Sequence, residues 1–287
     1  MTVKILTDSA CDLPLHFLKK QQISMFPLRV HVDGQEYDDL ETIEPKKIFA
    51  AIRSGQTPKT SQVSPQRFKE QFTKFAKEKH SCIYIAFSSE LSGTYQTAMM
   101  IRSEVMEEFP DFQLTIINSK CASLGLGLVV AHAAELSEKG MTYDEIVQSA
   151  TNHCNHMEHL FTVDDLDYLA QGGRVSKTSA FVGGLLNIKP ILDVEDGKLI
   201  PRERVRGRKK VLKRILEMME ERGTDLENQT IAISHGDDED TALQLKETIE
   251  QKFGCKTFIV NTIGAVIGSH AGPGTLAVFF LNELIDR

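Results

Sequence analysis

The sequence has no Cys-x-x-Cys pair. Its five cysteines, Cys11, Cys82, Cys121, Cys154 and Cys255, are odd in number and widely spaced. That argues against a disulfide framework and fits a reducing compartment. No apolar run reaches the roughly 18 residues of a membrane span. The opening stretch Met1-Thr2-Val3-Lys4-Ile5-Leu6-Thr7-Asp8 lacks a signal-peptide core. A cytoplasmic location is therefore expected. Positive charge is not in excess: the net charge is −7, so the chain as a whole is not drawn to nucleic acid or to anionic lipid. A Gly-x-Ser-x-Gly elbow is missing, which makes Ser88, Ser89 and Ser92 poor hydrolase nucleophiles. The glycine-rich stretch Gly268–Thr275 lacks a P-loop lysine. Neither it nor Leu124-Gly125-Leu126-Gly127 has the strand context of a dinucleotide site. Sequence thus gives no reason to expect a nucleotide cofactor.

What is present is an ordinary globular balance, 41% apolar and 25% charged over 287 residues. That length accommodates two domains. In the first half, apolar runs with strand character alternate with helical periodicity. Strands are expected at Val3–Leu6, Met25–Asp33, Ser81–Phe87 and Gln113–Asn118. Helices are expected at Pro14–Lys20 (capped by Asp12), Pro45–Ser54, Pro65–Lys79, Tyr95–Phe109 and Leu124–Lys139, with Gly55–Ser64 as a polar loop. Such alternation predicts βαβ units and a parallel sheet. Ligands of these sheets bind at the carboxyl ends of the strands. The loops starting at Thr7, Ser88 and Asn118 would lie on that edge.

The second half mixes hairpins and helices. Asp196-Gly197 is a hairpin signal between Pro190–Val194 and Lys198–Pro201. Strands are also expected at Leu160–Val163, Thr230–His235 and Thr257–Asn261. The helices expected are Asp164–Gly173, Lys177–Leu186, Lys209–Arg222, Glu239–Phe253 and Pro273–Asn282. The fold class predicted is α/β in two domains, residues 1–150 with a parallel sheet and residues 151–287 smaller, α+β, with a mixed sheet.

Two polar loops stand out, Thr60-Ser61-Gln62 and Ser88-Ser89 with Ser92-Gly93-Thr94. They offer hydroxyls and backbone N–H groups to an anion, although plain helix capping explains the same residue types. His270 lies in the glycine-rich stretch, where a loop could present it to a ligand. His153, His156 and His159 share a helical face only loosely and have no completing carboxylate or thiolate, which disfavours a metal. The basic run Arg202, Arg204, Arg206, Arg208, Lys209, Lys210, Lys213 and Arg214 reads either as a solvated face or as a docking surface for an acidic partner or anionic headgroups.

Five segments, in order, resemble the signatures of the DegV family: Thr7-Asp8-Ser9 with Asp12-Leu13-Pro14; Thr60-Ser61-Gln62 with Ser64-Pro65; Ser88-Ser89-x-Leu91-Ser92-Gly93-Thr94-Tyr95; Asp164-Asp165-Leu166-x-Tyr168-Leu169 with Gly172-Gly173-Arg174; and Gly268-x-His270-x-Gly272-Pro273-Gly274. Val63 departs from the pattern, standing where the family often has proline.

The resemblance implies the two-domain DegV fold, with a parallel-sheet α/β/α domain packed on a smaller one. One long-chain fatty acid would lie between them, as a ligand rather than a cofactor. The implied role is that of a carrier without chemistry of its own. A separate acyl kinase subunit, similar to dihydroxyacetone kinases, would phosphorylate the bound carboxylate. A membrane acyltransferase would then take the acyl phosphate transiently toward phospholipid synthesis. Thr60, Ser92 and His270 would meet the carboxylate, with Ser61, Gly93 and Thr94 beside them and Arg174 behind. Leu124–Val130 and Phe181–Ile188 are the expected tail walls. Arg202, Arg204, Arg206 and Lys210 would dock the partner, with Arg206 opening the basic helix. The alternative is an acyl or phosphoryl hydrolase or transferase working through the serine loops.

Overall fold

A computed structural model describes residues 3–176 and 187–284. The first half lays down β1 (Lys4–Asp8), α1 (Leu15–Lys20), β2 (Ser24–Phe26), β3 (Arg29–Val32), β4 (Gln35–Asp38), α2 (Pro45–Arg53), β5 (Lys59–Ser61), α3 (Pro65–Lys77), β6 (Cys82–Ala86), α4 (Thr94–Glu108), β7 (Leu114–Asn118), α5 (Ser123–Glu138) and α6 (Tyr143–Asn155). Strands β2, β1, β6 and β7 form, in that order, a sheet in which every pairing is parallel. β6 is buried at every position, as a strand covered on both faces must be. Helix α3 buries Phe68, Phe72 and Phe75 at helical spacing, and Phe26 packs tilted against Phe68 and edge-on against Phe72.

The remainder supplies β8 (Met157–Thr162), α7 (Asp167–Gln171), β9 (Ile188–Glu195), β10 (Lys198–Arg206), α8 (Arg208–Arg222), β11 (Thr230–His235), α9 (Glu239–Phe253), β12 (Thr257–Thr262), α10 (Ala265–Ala271) and β13 (Leu276–Leu281). A six-stranded sheet runs β10-β9-β8-β13-β11-β12. Only its β11–β12 pairing is parallel. Its strands alternate faces with period two. Leu160, Ile231, Ile233, Val278 and Phe280 join a core that includes Val211, Ile215 and Met218 of α8 and Leu245 and Ile249 of α9. His159, Phe161, Ala277 and Phe279 turn to the other face.

Several elements depart from the sequence reading. Pro273–Asn282, expected as a helix, contains β13. Its Leu-Ala-Val-Phe-Phe-Leu run is inserted between β8 and β11, where both ladders satisfy its backbone. The expected polar loop Gly55–Ser64 contains β5, paired to β3 in a small sheet of order β4-β3-β5. Asp12 does not cap α1, whose cap position is Pro14. His270 sits in the last turn of α10, not in a loop. Arg206 ends strand β10 instead of opening the basic helix. Helix α6 had no counterpart in the reading, and the helix expected at Lys177–Leu186 falls outside the described residues.

Candidate functional site

The polar loops converge where the parallel sheet's carboxyl edge meets the inner face of the mixed sheet. They line a cavity of about 410 Å³, a volume suited to a small organic ligand. Leu28 follows β2, Phe87 to Gly93 follow β6, and Ala122 and Ser123 follow β7. All of these segments contribute to the lining, as the strand-end rule requires. Phe161, Val194, Leu199, Ala277 and Phe279 make the opposite wall. The expected tail wall Leu124–Val130 does not line the cavity among the described residues; most of that helix is buried in the main core. Phe181–Ile188 lies largely outside the described residues, and its described members, Asn187 and Ile188, are not part of the lining.

One end of the cavity is polar. Thr60, Ser61, Ser92, Gly93, Arg174 and His270, the residues named from sequence, all line it. Thr60 Oγ1 lies 2.7 Å from His270 Nε2. Ser92 Oγ lies 2.9 Å from Thr94 Oγ1. Thr94 itself is buried behind the lining, where its hydroxyl accepts from the Val63 N–H at 3.4 Å. A proline at 63 would have no N–H to give. Gln62, part of the polar loop noted from sequence but given no role there, lines the cavity and donates to Thr97 Oγ1 at 2.6 Å. Ser88 and Ser89 serve the scaffold instead. Ser88 Oγ donates to the Gly197 carbonyl at the β9–β10 hairpin tip, and Ser89 is held by the Asn118 amide.

Burial, with the positive charge of Arg174 nearby, pushes His270 down to about 4. Its ring is therefore neutral at pH 7. Arg174 is half-buried and desolvated, which lowers its pKa. Its guanidinium donates to the carbonyls of Leu91 and Gly172, and among the described residues no carboxylate pairs with it. A buried charge without a counter-ion is costly, so this end of the cavity favours an anion. Gly172 sits against the imidazole: a Cβ there would come within 2.2 Å of His270 Nδ1, so only glycine allows this close approach.

Below this floor lie three fully buried carboxylates, which sequence reasoning did not single out as a scaffold. Asp8 accepts from Tyr84 Oη at 2.8 Å and Phe87 N at 2.9 Å. Asp39 accepts from Ser9 Oγ at 2.9 Å and Ala265 N at 2.8 Å. Asp12 accepts from Gly264 N at 2.9 Å and from Ser123 Oγ. Desolvation raises all three, Asp8 and Asp39 to about 6 and Asp12 further. Asp12 and Asp39 thereby hold the amino end of α10, whose last turn carries His270, and Asp8 holds the start of the Ser92 loop. They aim the site; they do not line it.

His159 lines the cavity. Its Nδ1 meets the Met157 carbonyl and its Nε2 accepts from Ala122 N. No group of three or more ligating side chains suited to a metal ion occurs among the described residues. Among the described residues, Ser61 meets an imidazole and Ser92 does not. Ser92 Oγ meets Thr94 and no imidazole. His31 Nε2 lies 3.1 Å from Ser61 Oγ and 3.6 Å from Glu36. The same ring nitrogen faces both, whereas a triad uses opposite nitrogens.

The basic run lies mainly on two elements. Arg202, Arg204 and Arg206 alternate along the exposed face of edge strand β10, and Lys209 and Lys210 are exposed on α8. Part of the run is neutralised. Arg202 pairs with Asp193 and Glu195, Arg208 with Asp164 and Asp238, and Arg214 with Glu203 and Glu221.

This fold around a mainly apolar cavity with one polar end defines a small-ligand-binding α/β protein. The model of the DegV family, described as uncharacterised proteins, matches residues 2–283. The chain belongs to the DegV family and has its two-domain fold. A DegV domain-containing protein of Clostridium perfringens is 43% identical to it over 97% of both chains. A DegV family protein from Thermus thermophilus, solved for its fatty acid binding, superposes with a TM-score of 0.89 at 32% identity, covering 97% of this chain and 99% of that one. A protein from Thermotoga maritima whose structure revealed a fatty acid binding function gives 0.84 at 31% identity, covering 98% and 99%. No helix among the described residues is long and apolar enough to cross a membrane.

Proposed function

We propose that this protein binds one long-chain fatty acid, tail in the cavity and carboxylate at the Thr60–Ser92–His270 end. The observation that carries this reading is the cavity's polarity: a mainly apolar hollow whose one polar end combines hydroxyls, a neutral imidazole and a guanidinium that no carboxylate among the described residues pairs. The fatty acid binding of structural neighbours above 30% identity supports it. A dozen buried methylenes contribute roughly 10 kcal/mol at about 0.8 kcal/mol each, several of which are offset by association and chain ordering. Hydroxyl donors hold the carboxylate by charge-assisted hydrogen bonds, yet neutralise it less than a bidentate arginine would.

The role that follows is a cytoplasmic carrier rather than an enzyme. A separate dihydroxyacetone-kinase-like subunit would bring the phosphoryl donor. A carboxylate oxygen attacks the terminal phosphorus, the bond to the leaving nucleoside diphosphate breaks, and the acyl phosphate passes to a membrane acyltransferase for phospholipid synthesis. The exposed side of β10 and α8, with Arg202, Arg204, Arg206 and Lys210, is the docking surface in this reading; nucleic acid is not a partner. A domain boundary near residue 150 fits as well, because all strands of the parallel sheet precede it and the mixed sheet starts at Met157.

The test is denaturing extraction of the purified protein followed by mass spectrometry. About one fatty acid per chain is expected. Protein that yields no lipid and takes up neither oleate nor palmitate overturns the reading. The hydrolase or transferase alternative predicts instead a covalent adduct on Ser92 or turnover without a partner.

A further inference from the structure

The cavity carries a second polar point, away from the Thr60–Ser92–His270 end. Ser123, at the start of α5, and Ser234, on β11, both line it, and their hydroxyl oxygens lie 3.0 Å apart. Ser123 Oγ also meets Asp12 Oδ2, while Asp12 Oδ1 accepts from Gly264 N at the head of α10. His270 lies in the last turn of that helix, about 9 Å further on at 1.5 Å per residue. Between the two in sequence, the apolar Val266 and Ile267 line the wall. We infer that Ser123 and Ser234 form a subsite for a hydroxyl part-way along an acyl chain, so that hydroxylated long-chain fatty acids are ligands of this protein. The inference rests on the fatty acid reading above and extends its ligand class.

Two features carry it. The first is unused hydrogen-bonding capacity on a buried hydroxyl. Ser234 is fully buried, and its neighbours in the same row of the sheet, Ala277 and Phe161, are apolar. Among the described residues its hydroxyl meets only Ser123. Ser123 has one proton to give. When that proton goes to Asp12, Ser234 donates to Ser123 and keeps its lone pairs. When Asp12 is protonated, a state that burial favours, the chain of donors reverses and Ser234 keeps its proton. A ligand hydroxyl both donates and accepts, so it completes the pair in either arrangement; a carbonyl or an ether completes it in only one. The second feature is strain. Ser123 has a φ of 51°, a left-handed conformation uncommon outside glycine. Such strain persists where surrounding contacts over-determine it, and it clusters at ligand sites. Here it falls on the residue whose hydroxyl links Asp12 to Ser234. An unsubstituted tail has no use for either serine.

The probes are monohydroxy octadecanoic acids with the hydroxyl at successive mid-chain carbons. They are titrated calorimetrically into delipidated full-length protein beside octadecanoic acid itself. One isomer should bind at least as tightly as octadecanoic acid, with affinity falling on either side of that position. Ser234→Ala should weaken this isomer about 3- to 10-fold, the size of one lost neutral hydrogen bond, and leave octadecanoic acid within about twofold. Ser234→Cys keeps the shape but has only a weak donor. It should show the same selective loss, and it carries the test if alanine unsettles the fold. The inference is overturned if every isomer binds more than about tenfold weaker than octadecanoic acid, as an unpaired buried hydroxyl would. It is equally overturned if the variants weaken hydroxylated and unsubstituted acids alike, or weaken neither, which is the pattern of a serine pair that only braces α10. Failure of all the acids to bind the wild type would instead overturn the fatty acid reading, and the inference with it.

Discussion

Thr60 Oγ1 and His270 Nε2 lie within 2.7 Å of each other although 210 positions separate them. Thr60 is on β5, the edge of a three-stranded sheet, and His270 is in the last turn of α10, which packs on α2. Their contact fixes the polar end of the cavity. Thr60→Val and Ser92→Ala should each weaken oleate binding about 10- to 100-fold, because a hydrogen bond to a charged group is worth roughly 1.5–3 kcal/mol. Melting temperature should change little, since both residues are only partly buried. Fluorescent fatty acid displacement checks the affinity. Unchanged binding in both variants would remove these hydroxyls from the site.

His159 is buried in the cavity wall, and desolvation holds it down to about 4 against an ordinary 6.5. Below pH 6.5 the unfolded chain takes up a proton that the folded state refuses, so the unfolded state gains on acidification. The stability that neutral His159 secures is complete above about 6.5 and is lost as pH falls toward 4. Buried Asp8 and Asp39, raised to about 6, act with the opposite sign: their contribution is present below 3.8 and lost as pH rises through about 6. The clean readout is therefore a difference. The wild type should lose melting temperature relative to His159→Gln between pH 6.5 and 4. Parallel curves over that range would mean that His159 titrates normally.

Ala277 faces the cavity beside Phe161 and Phe279. Ala277→Leu adds volume where the acyl chain is proposed to run, and the surrounding strand ladder leaves little room to adjust. Lipid recovered from this variant should shift to shorter chains, at a stability cost of about 1–3 kcal/mol. Mass spectrometry reads the shift. An unaltered chain-length profile would place the tail elsewhere.

Arg206 stands exposed at the end of β10, next to the basic start of α8. Exposed charges add little to stability but steer association, and steering fades with salt. Arg206→Glu should keep the melting temperature and the bound lipid while slowing kinase-dependent acyl phosphate formation. The wild-type advantage should shrink at high salt. Equal rates at low salt would reduce the basic run to a solvated face.

Local pattern alone determined much of this. The parallel-sheet alternation, the three phenylalanines of α3, the Asp196-Gly197 hairpin and the hydroxyl loops are all written in short-range spacing, because helix and strand impose periods of 3.6 and 2. Helix α6 was also legible. Thr142 and Glu145 form a capping box there, a four-residue signal the reading passed over. Other features had no local signature. Leu276–Leu281 is apolar enough for a helix or a strand, and only the open ladder between β8 and β11 decided for strand. Three aspartates, Asp8, Asp12 and Asp39, became buried clamps because backbone N–H groups of α10 and of the β6 loop, far along the chain, needed acceptors. The placement of Thr60 against His270, the neutral state of that imidazole and the desolvation of Arg174 depend on how the two sheets meet. That packing sets desolvation, which no linear spacing encodes.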